Sequence, residues 1–308
     1  MVAPLAGPLG RKSVIFPFLA CAEIESESGD ATVVGPFEPR FTFAILADPH
    51  VSDASENLDR LDQAVAWIAD NAEIEDIQLT LILGDIAWSE GFPYADESLS
   101  ALPMPWVPIL GDNEIQFGGE QTYDDTYSDQ YAALATQLDH FTRGETPIDN
   151  PEYGQPSWFQ NLSFDFGEVH FVGLDWCTRH IGGLEGEAAD LHDFSGGTLR
   201  WLESDLQSLS DGPDERVIFA SHHPMHLSPG GFDLTEVDTV DTLLSSWDDA
   251  IYANFAGHYH FNEEEVDTDR PLDIYVTDAT WDDVNTIRLV SVEGNGAEMK
   301  YTHRFVEL

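Results

Sequence analysis

Residues 41–50 read FTFAILADPH, in which a short apolar run ends in an aspartate, a proline and a histidine. Four later stretches repeat this arrangement: LTLILGD at 79–85, WVPILGDNE at 106–114, VIFASHHP at 217–224 and IYANFAGHYH at 251–260. A buried strand that ends in Asp or His holds those side chains rigidly at one edge of a sheet. Carboxylate and imidazole groups held in this way bind divalent ions that activate water. Together the five stretches predict a metal site at strand ends, of the kind that two-metal hydrolases use.

Strand and helix patterns alternate along the rest of the chain. Helices are predicted over 57–71, 129–141 and 198–209, where apolar residues recur at helical spacing. Paired strands are predicted at 164–166 and 169–174, and further strands between 274 and 306. This order predicts one α/β domain with a mixed sheet system, spanning residues 41–308. Segments 88–105, 118–129 and 178–195 are expected to be long loops over the ligand face.

The first forty residues form a separate N-terminal segment by composition. Arg11 and Lys12 precede the apolar stretch SVIFPFLA, and Cys21 follows it. This pattern resembles a lipoprotein export signal with a lipid anchor at Cys21, and the acidic stretch EIESESGD after it would be a tether. A plain N-terminal strand or a misassigned start stays open as the alternative, because the apolar core is short and contains Pro17.

Charge excludes one large class of partner. The sequence holds 58 acidic and 12 basic residues, so its formal net charge is −46. Such a surface repels polyanions, and no Lys/Arg cluster neutralises phosphates, so no nucleic-acid partner is expected. The charge fits either an exported or cell-envelope protein or a cytoplasmic protein of a salt-adapted host. No apolar run is long enough to form a transmembrane segment.

Each of the five stretches is a weak signal by itself, and their set is the stronger one. Asp48 and His50 can leave the same strand end because only one residue separates them. Asp85 can bridge two ions with its two carboxylate oxygens. His258 and His260 stand two apart after a strand, a spacing that can direct each imidazole to a different ion.

In this order the stretches resemble the motifs of the calcineurin-like metallophosphoesterases, which are D-x-H, G-D, G-N-H-D/E, H-x-P and G-H-x-H. The resemblance extends from about residue 41 to about residue 301. It includes SWFQNLSFDFGEVHFVGLD at 157–175 and TLRWLESDL at 198–206. It implies a layered α/β/β/α sandwich with two mixed sheets and the metal site at the carboxyl ends of the strands.

The resemblance also implies which residues bind ions. One ion would be bound by Asp48, His50 and His260, the other by Asp112, His222 and His258, and Asp85 would bridge both. His222 rather than His223 matches the family, because it stands two residues before Pro224. The ions would be Mn, Fe or Zn, and a hydroxide between them would attack the phosphorus of a small phosphate ester.

The third stretch departs from the family motif, since it reads GDNE at 111–114. In the family register Asp112 is a ligand, and Asn113 stands where the family has a His that helps to protonate the leaving group. An amide is no acid at pH 7, so His223, His226 or His180 would supply the proton. A shift by one residue, with Asn113 as the ligand, stays open. So does a metal-binding or partner-binding domain with weak or no catalysis.

Trp88 distinguishes this chain from one branch of the family, the purple acid phosphatases. That branch has Tyr three residues after the G-D aspartate, and Gly at the position of His50. Trp88 occupies the Tyr position and cannot bind a metal ion. The chain is therefore expected to lie outside that branch and to lack its iron–tyrosinate colour.

Overall fold

The computed structural model describes residues 35–308, except for 53–55, 89, 180–187, 210–215, 229, 248, 267, 283 and 297. The predicted export signal, the anchor at Cys21 and the candidate proton donor His180 lie outside the described residues. Residues 35–308 form one compact unit. No helix in its described parts is long and apolar enough to cross a membrane.

The first sheet contains three of the five metal-motif strands. Its order is β14 (Met299–Glu307), β13 (Thr286–Gly294), β1 (Glu38–Leu46), β2 (Ile77–Leu83) and β3 (Trp106–Ile109). Strands β1, β2 and β3 run parallel, whereas β13 pairs with β1 and β14 in antiparallel fashion. The carboxyl ends of β1, β2 and β3 therefore meet at the same edge.

The second sheet contains the other two motif strands. Its order is β11 (Glu263–Glu265), β12 (Asp273–Val276), β10 (Ile251–Ala256), β9 (Val217–Ser221), β8 (Val169–Leu174), β7 (Leu162–Phe166) and β4 (Asp139–Arg143). Strands β8, β9, β10 and β12 run parallel. A small hairpin, β5 (Ile148–Asn150) and β6 (Gln155–Ser157), stands apart from both sheets.

The two sheets pack face to face. The Phe43 ring on β1 makes edge contacts with Phe171 on β8 and Phe255 on β10, at centroid distances of 5.4 and 5.7 Å. Side chains alternate along each strand, so Val172, which follows Phe171 on β8, faces the opposite side of the sheet and joins a separate apolar cluster. Each sheet thus buries one face against the other sheet and the other face beneath helices.

Helices cover both outer faces. Helices α1 (Glu56–Asn71), α2 (Phe92–Leu99) and α4 (Glu120–Gln137) contribute to the apolar cluster of the first sheet. A short helix, α3 (Asp112–Ile115), begins directly after β3. Helices α5 (Thr198–Ser208) and α6 (Leu234–Leu244) cover the second sheet. The predicted α/β/β/α sandwich with two mixed sheets is confirmed.

Two of the predicted loops are wrong. Helix α2 lies within 88–105, and α4 begins at Glu120, within the predicted loop 118–129. Helix α4 also ends at Gln137, and the following residues form β4. Its buried stripe consists of Tyr123, Tyr127 and Tyr131, four residues apart, followed by Leu134. Tyrosines among Thr, Ser and Asp hide the apolar periodicity that identifies a helix.

A buried charged histidine connects β7, β8 and α5, and it predicts a pH-dependent stability. His170 lies 2.7 Å from the Asp165 carboxylate and 3.1 Å from that of Asp205. Burial opposes its charge, but the hydrogen bonds to these carboxylates outweigh burial and raise the pKa of His170. The stabilisation is therefore complete below the unfolded-state pKa of about 6.5, and it is lost as pH rises through the higher folded-state value.

We expect His170→Gln to lower the free energy of unfolding by about 3 kcal/mol at mildly acidic pH. The loss should shrink as the solution becomes alkaline, in urea unfolding measured across pH. The exposed His140 pairs with the same Asp165, so His140→Gln is the matched control and should have a smaller effect. A loss for His170→Gln that grows with pH would contradict this account.

Candidate metal centre

All seven predicted metal ligands meet at one edge of the two sheets. Asp48 and His50 follow β1, Asp85 follows β2, Asp112 begins α3 after β3, His222 follows β9, and His258 and His260 follow β10. Contacts between these residues join positions far apart in the sequence, such as His50 and His260, which are 210 residues apart. The facing sheets therefore bring the ligands together.

The first group of possible ligands is Asp48, His50, Asp85 and His260, whose nearest donor atoms all lie within 4.8 Å of one another. Nε2 of His50 lies 3.1 Å from Nε2 of His260 and 3.4 Å from Oδ2 of Asp85. Oδ1 of Asp48 lies 3.5 Å from Nε2 of His260. Two imidazoles and two carboxylates thus converge on one point.

The second group is Asp85, Asp112 and His222. Nε2 of His222 lies 3.4 Å from Oδ1 of Asp85 and 3.7 Å from Oδ1 of Asp112. Nδ1 of His258 lies 3.2 Å from Nε2 of His222, so His258 adjoins this group. Asp85 belongs to both groups and directs a different oxygen to each.

Five of the seven residues adopt left-handed backbone conformations. Their φ angles lie between 48° and 73°, and the residues are Asp48, His50, Asp85, His258 and His260. Non-glycine residues rarely adopt such angles, and each costs on the order of 1 kcal/mol. Such conformations persist where the surrounding structure enforces them and cluster at functional sites. The strand ends here turn sharply in order to direct side chains into the centre.

Two motif glycines permit the close approach of a ligand from another strand. At Gly84, which has φ of 79°, an added Cβ would lie 2.6 Å from Nδ1 of His222. At Gly257 a Cβ would lie 2.4 Å from the Asp48 carboxylate. Because real Cβ atoms do not approach so closely, any larger residue would displace these ligands.

Burial controls the charge of two of the histidines. It lowers the pKa of His50 to about 4 and that of His258 to about 4. Both rings are therefore neutral at pH 7. A neutral imidazole has a lone pair to give to an ion.

His222 experiences the opposite balance. Burial opposes its charge, but the carboxylates of Asp85, Asp48 and Asp112 outweigh burial and hold the pKa of His222 well above its ordinary value. Burial also raises the pKa of Asp85, and the neighbouring Asp112 adds to this, although His222 opposes it. The surroundings of His222 thus favour a positive charge at this point.

Glu114 is a structural element of the centre that sequence reasoning left without a role. Its buried carboxylate accepts hydrogen bonds from the backbone N–H groups of Asp85 at 3.0 Å, Ala87 at 3.0 Å and Gly111 at 2.7 Å. Burial raises the pKa of Glu114 to about 7, although the backbone N–H groups of Ala87 and Gly111 act in the other direction. Glu114 therefore joins the end of β2 to the end of β3. The sequence signal for this role was the acidic residue at the fourth position of the GDNE motif.

We expect Glu114→Gln to destabilise the protein by about 1–3 kcal/mol, measured by urea unfolding. An amide has one acceptor oxygen instead of two, and its NH₂ would face a backbone N–H. At least one of the three buried N–H groups would then lack an acceptor. Glu97→Gln on the exposed face of α2 is the matched control and should change stability by less than about 0.5 kcal/mol. Equal stabilities of the two variants would contradict this role.

The structure separates Asp112 from Asn113. The Asp112 carboxylate faces His222, whereas the Asn113 side-chain amide lies 2.6 Å from Nδ1 of His50, on the side of that ring opposite Nε2. The Asn113 backbone N–H donates to Oδ1 of Asp85 at 2.9 Å. Asn113 thus contacts two possible ligands from outside the centre.

The remaining candidate proton donors lie in different surroundings. His223 belongs to a third group, with Asp112 and His258, and its Nδ1 lies 3.5 Å from Sγ of Cys177. His226 joins a separate network, with Nδ1 at 2.9 Å from the Glu265 carboxylate. Among the candidate proton donors that the structure describes, His223 is therefore the one that adjoins the predicted ligands directly.

Trp281 was also missed by sequence reasoning. Its ring makes edge contacts with His50 and His260, at centroid distances of 5.4 and 5.6 Å. The preceding Thr280 donates to the carbonyl of Ala47, at the end of β1. No motif signals this loop residue, because its contacts arise from folding alone.

Comparison with known proteins identifies the family. A family model described as calcineurin-like phosphoesterase matches residues 41–262. The chain belongs to this family. The calcineurin-like phosphoesterase match confirms the resemblance read from the five motifs, and it covers both the motif strands and the centre described above. No curated protein matches the chain significantly.

Solved structures similar to this calcineurin-like phosphoesterase are distant. The protein TT1561 of Thermus thermophilus is 13% identical with a TM-score of 0.44, over 85% of this chain and 98% of that one. A putative 5'-nucleotidase from Staphylococcus aureus is 11% identical with a TM-score of 0.41, over 87% and 54%. Phosphopantetheinyl hydrolase from Mycobacterium tuberculosis is 11% identical with a TM-score of 0.45, over 77% and 89%. At such values these proteins carry no argument about the substrate.

Proposed function

We propose that this phosphoesterase is a dinuclear metal-dependent hydrolase of small phosphate esters. The observation that carries the proposal is the position of Asp85 between two groups of possible ligands. Its Oδ2 lies 3.4 Å from Nε2 of His50, and its Oδ1 lies 3.4 Å from Nε2 of His222. A carboxylate that directs one oxygen to each of two sites is suited to bridge a pair of ions.

The donor chemistry of His222 fits a bound cation. Its Nδ1 lies 3.0 Å from the carbonyl oxygen of Leu83, which can only accept, so Nδ1 carries the hydrogen. Nε2 then directs its lone pair towards the carboxylates of Asp85 and Asp112. Three acceptor groups that converge in this way repel one another unless a proton or a metal ion lies between them.

In the proposed enzyme Asp48, His50 and His260 would hold one ion, Asp112, His222 and His258 would hold the other, and Asp85 would serve both. Such mixed nitrogen and oxygen ligands suit Mn, Fe or Zn. When bound, a metal pair lowers the pKa of water and neutralises charge on a phosphoryl group. The role of the protein is to hold neutral imidazoles and buried carboxylates at fixed positions.

The charge of the chain bears on the class of substrate that we propose. At a formal net charge of −46 the surface disfavours long polyanions, and this supports a small phosphate ester over a nucleic acid. That this chain lies outside the purple acid phosphatase branch stays a prediction, which rests on Trp88.

Asp112 is proposed as the ligand of the third motif, and Asn113 as a residue that orients His50. An ion at Nε2 of His50 requires the hydrogen on Nδ1, so the Asn113 amide would turn its oxygen towards the ring. Proton donation to the leaving group is assigned to His223, which adjoins Asp112 and His258.

We expect Asn113→Ala to weaken Mn²⁺ binding or activity by about 10–100-fold, as is typical for partners of metal-binding histidines. Titration of the metal-free protein with Mn²⁺ measures the affinity, and kcat is measured at saturating metal. Gln121→Ala, which removes an exposed amide from α4, is the control. If Asn113→Ala released one ion entirely, Asn113 would be a ligand rather than an orienting residue.

The experiment that tests the proposed function is hydrolysis of an aryl phosphate monoester and diester by protein stripped of metal and then supplied with Mn²⁺, Zn²⁺ or Fe²⁺. Activity that requires metal, with two ions bound per chain, is expected. Two bound ions without turnover would indicate instead a metal-binding or partner-binding domain of the same fold. Protein that binds neither ion would exclude both the metal-dependent hydrolase and the metal-binding domain.

A further inference from the structure

A second place where metal-ligand side chains converge lies outside the centre. Glu152, in the turn between β5 and β6, and Asp190 and His192, in the segment before α5, have donor atoms within 4.8 Å of one another. None of these residues belongs to the five motifs. His192 is 1% exposed, whereas the side chains of Glu152 and Asp190 are 44% and 32% exposed. One buried imidazole thus meets two carboxylates that reach solvent.

The orientation of His192 determines which ring nitrogen carries its hydrogen. Nε2 lies 3.0 Å from the backbone carbonyl oxygen of Cys177. A carbonyl only accepts hydrogen bonds, so Nε2 carries the hydrogen and Nδ1 of the neutral ring is an acceptor. Nδ1 nevertheless faces the carboxylates of Glu152 and Asp190, which also only accept. This buried lone pair needs a cation or an additional proton.

The distances from Nδ1 of His192 fit metal ligands, and Oδ1 of Asp190 also accepts the backbone N–H of His192 at 2.8 Å. Nδ1 of His192 lies 3.3 Å from Oε2 of Glu152 and 3.7 Å from Oδ1 of Asp190. Both exceed the usual separation of a charge-assisted hydrogen bond, about 2.7–2.9 Å. Bonds of roughly 2.0–2.1 Å in a tetrahedral zinc site place neighbouring ligand atoms about 3.4 Å apart. The two observed distances lie on either side of that value.

We propose that Glu152, Asp190 and His192 bind a further divalent cation, preferentially Zn²⁺. An imidazole with two carboxylates favours Zn²⁺ or a similar transition metal over Ca²⁺, which prefers an all-oxygen shell of six to eight ligands. The exposed carboxylates give the ion an entry path, and water completes the coordination. The carbonyl of Cys177 orients His192 through a hydrogen bond to Nε2, as is usual for metal-binding histidines.

Such an ion would join the β5–β6 hairpin to the segment that precedes α5. Cys177 connects this segment to the main centre, because its carbonyl accepts from His192 while its Sγ lies 3.5 Å from Nδ1 of His223. The proposed role of the site is structural, since the ion would hold His192 against Cys177, whose Sγ contacts His223.

The test measures Zn²⁺ binding in a background without the main centre. Asp48→Ala/Asp85→Ala/Asp112→Ala protein, in which every group of possible ligands in the main centre has lost its carboxylates, is stripped of metal and dialysed against Zn²⁺ at high KCl, which screens weak binding to the acidic surface. We expect one tightly bound Zn²⁺ per chain. Glu152→Gln and Asp190→Asn, added singly, should each weaken its Kd by at least about tenfold, since even outer partners cost 10–100-fold. The exposed neighbour Asp149 supplies the matched control Asp149→Asn, which should change nothing.

Two results would overturn the proposal. One is a folded background protein that retains no Zn²⁺. The other is a bound Zn²⁺ that neither Glu152→Gln nor Asp190→Asn weakens. If the background protein does not fold, the same substitutions are made in the unaltered chain, where each should lower the zinc content by one ion per chain. Loss of the catalytic ions in those variants would contradict the separation of the two sites.

Discussion

Asp85→Ala is expected to release both ions and to lower hydrolysis by at least about 10³-fold. The reason is that Asp85 directs one oxygen to His50 and the other to His222, so no other ligand replaces it at either site. Its Oδ1 also accepts the backbone N–H of Asn113, so the substitution additionally loosens the start of α3. Metal content by elemental analysis and turnover of an aryl phosphate ester measure the two losses.

The matched control for this experiment is Asp62→Ala, which removes a carboxylate from the exposed face of α1. It changes the net charge equally and should preserve both metal content and activity. An Asp85→Ala protein that retained both ions at the normal affinity would contradict the bridging role. Loss of one ion alone would show that Asp85 is a ligand at a single site.

His222→Ala is expected to lower activity by at least about 10²-fold more than His223→Ala. Both histidines are buried at the end of β9, so burial alone does not distinguish them. Their contacts do, because Nε2 of His222 faces Asp85 and Asp112 while Nδ1 is held by the carbonyl of Leu83. His223 has Nδ1 against Sγ of Cys177.

Either alanine leaves a cavity, so activity must be compared together with stability. The pair His222→Gln and His223→Gln preserves more volume and serves as the second comparison. Metal titration then separates a lost ligand, which changes ion affinity, from a lost proton donor, which changes kcat at saturating metal. Equal loss of ion affinity in the two variants would contradict the choice of His222, since His223 also lies near Asp112 and His258.

Much of the fold was predictable because its strands are buried on both faces. The apolar runs of β1, β2, β9 and β10 end at the residues predicted from sequence to within one or two positions. Helices α1 and α5 were predicted because Leu, Val and Ile recur on one face. The first half of helix α4 was missed because its buried stripe is mainly tyrosine, and α2 was missed because it is short and begins beside Pro93.

Local patterns predicted which residues belong to the candidate centre, whereas their arrangement into two groups was expected only from the resemblance to a known family. Short motifs at strand ends depend on local chemistry, so Asp48, His50, Asp85, His258 and His260 could be named before folding. The grouping of these side chains depends on contacts between residues up to 210 positions apart, which no local pattern contains. The role of Glu114 and the position of Trp281 follow from such contacts.

The buried strands, helices α1 and α5, and the Asp and His residues at the strand ends follow from the amino-acid order alone, because strand periodicity and donor chemistry are local properties. The sandwich architecture and the set of seven ligands were expected from the resemblance of the five motifs to a known family. Asp112 faces His222, whereas Asn113 contacts Nδ1 of His50. These positions arise only on folding, because both depend on how β3 and α3 meet the neighbouring strand ends. Folding also brings together Glu152, Asp190 and His192, for which no motif exists. Their convergence results from packing of a hairpin against a distant segment, and such packing has no sequence period.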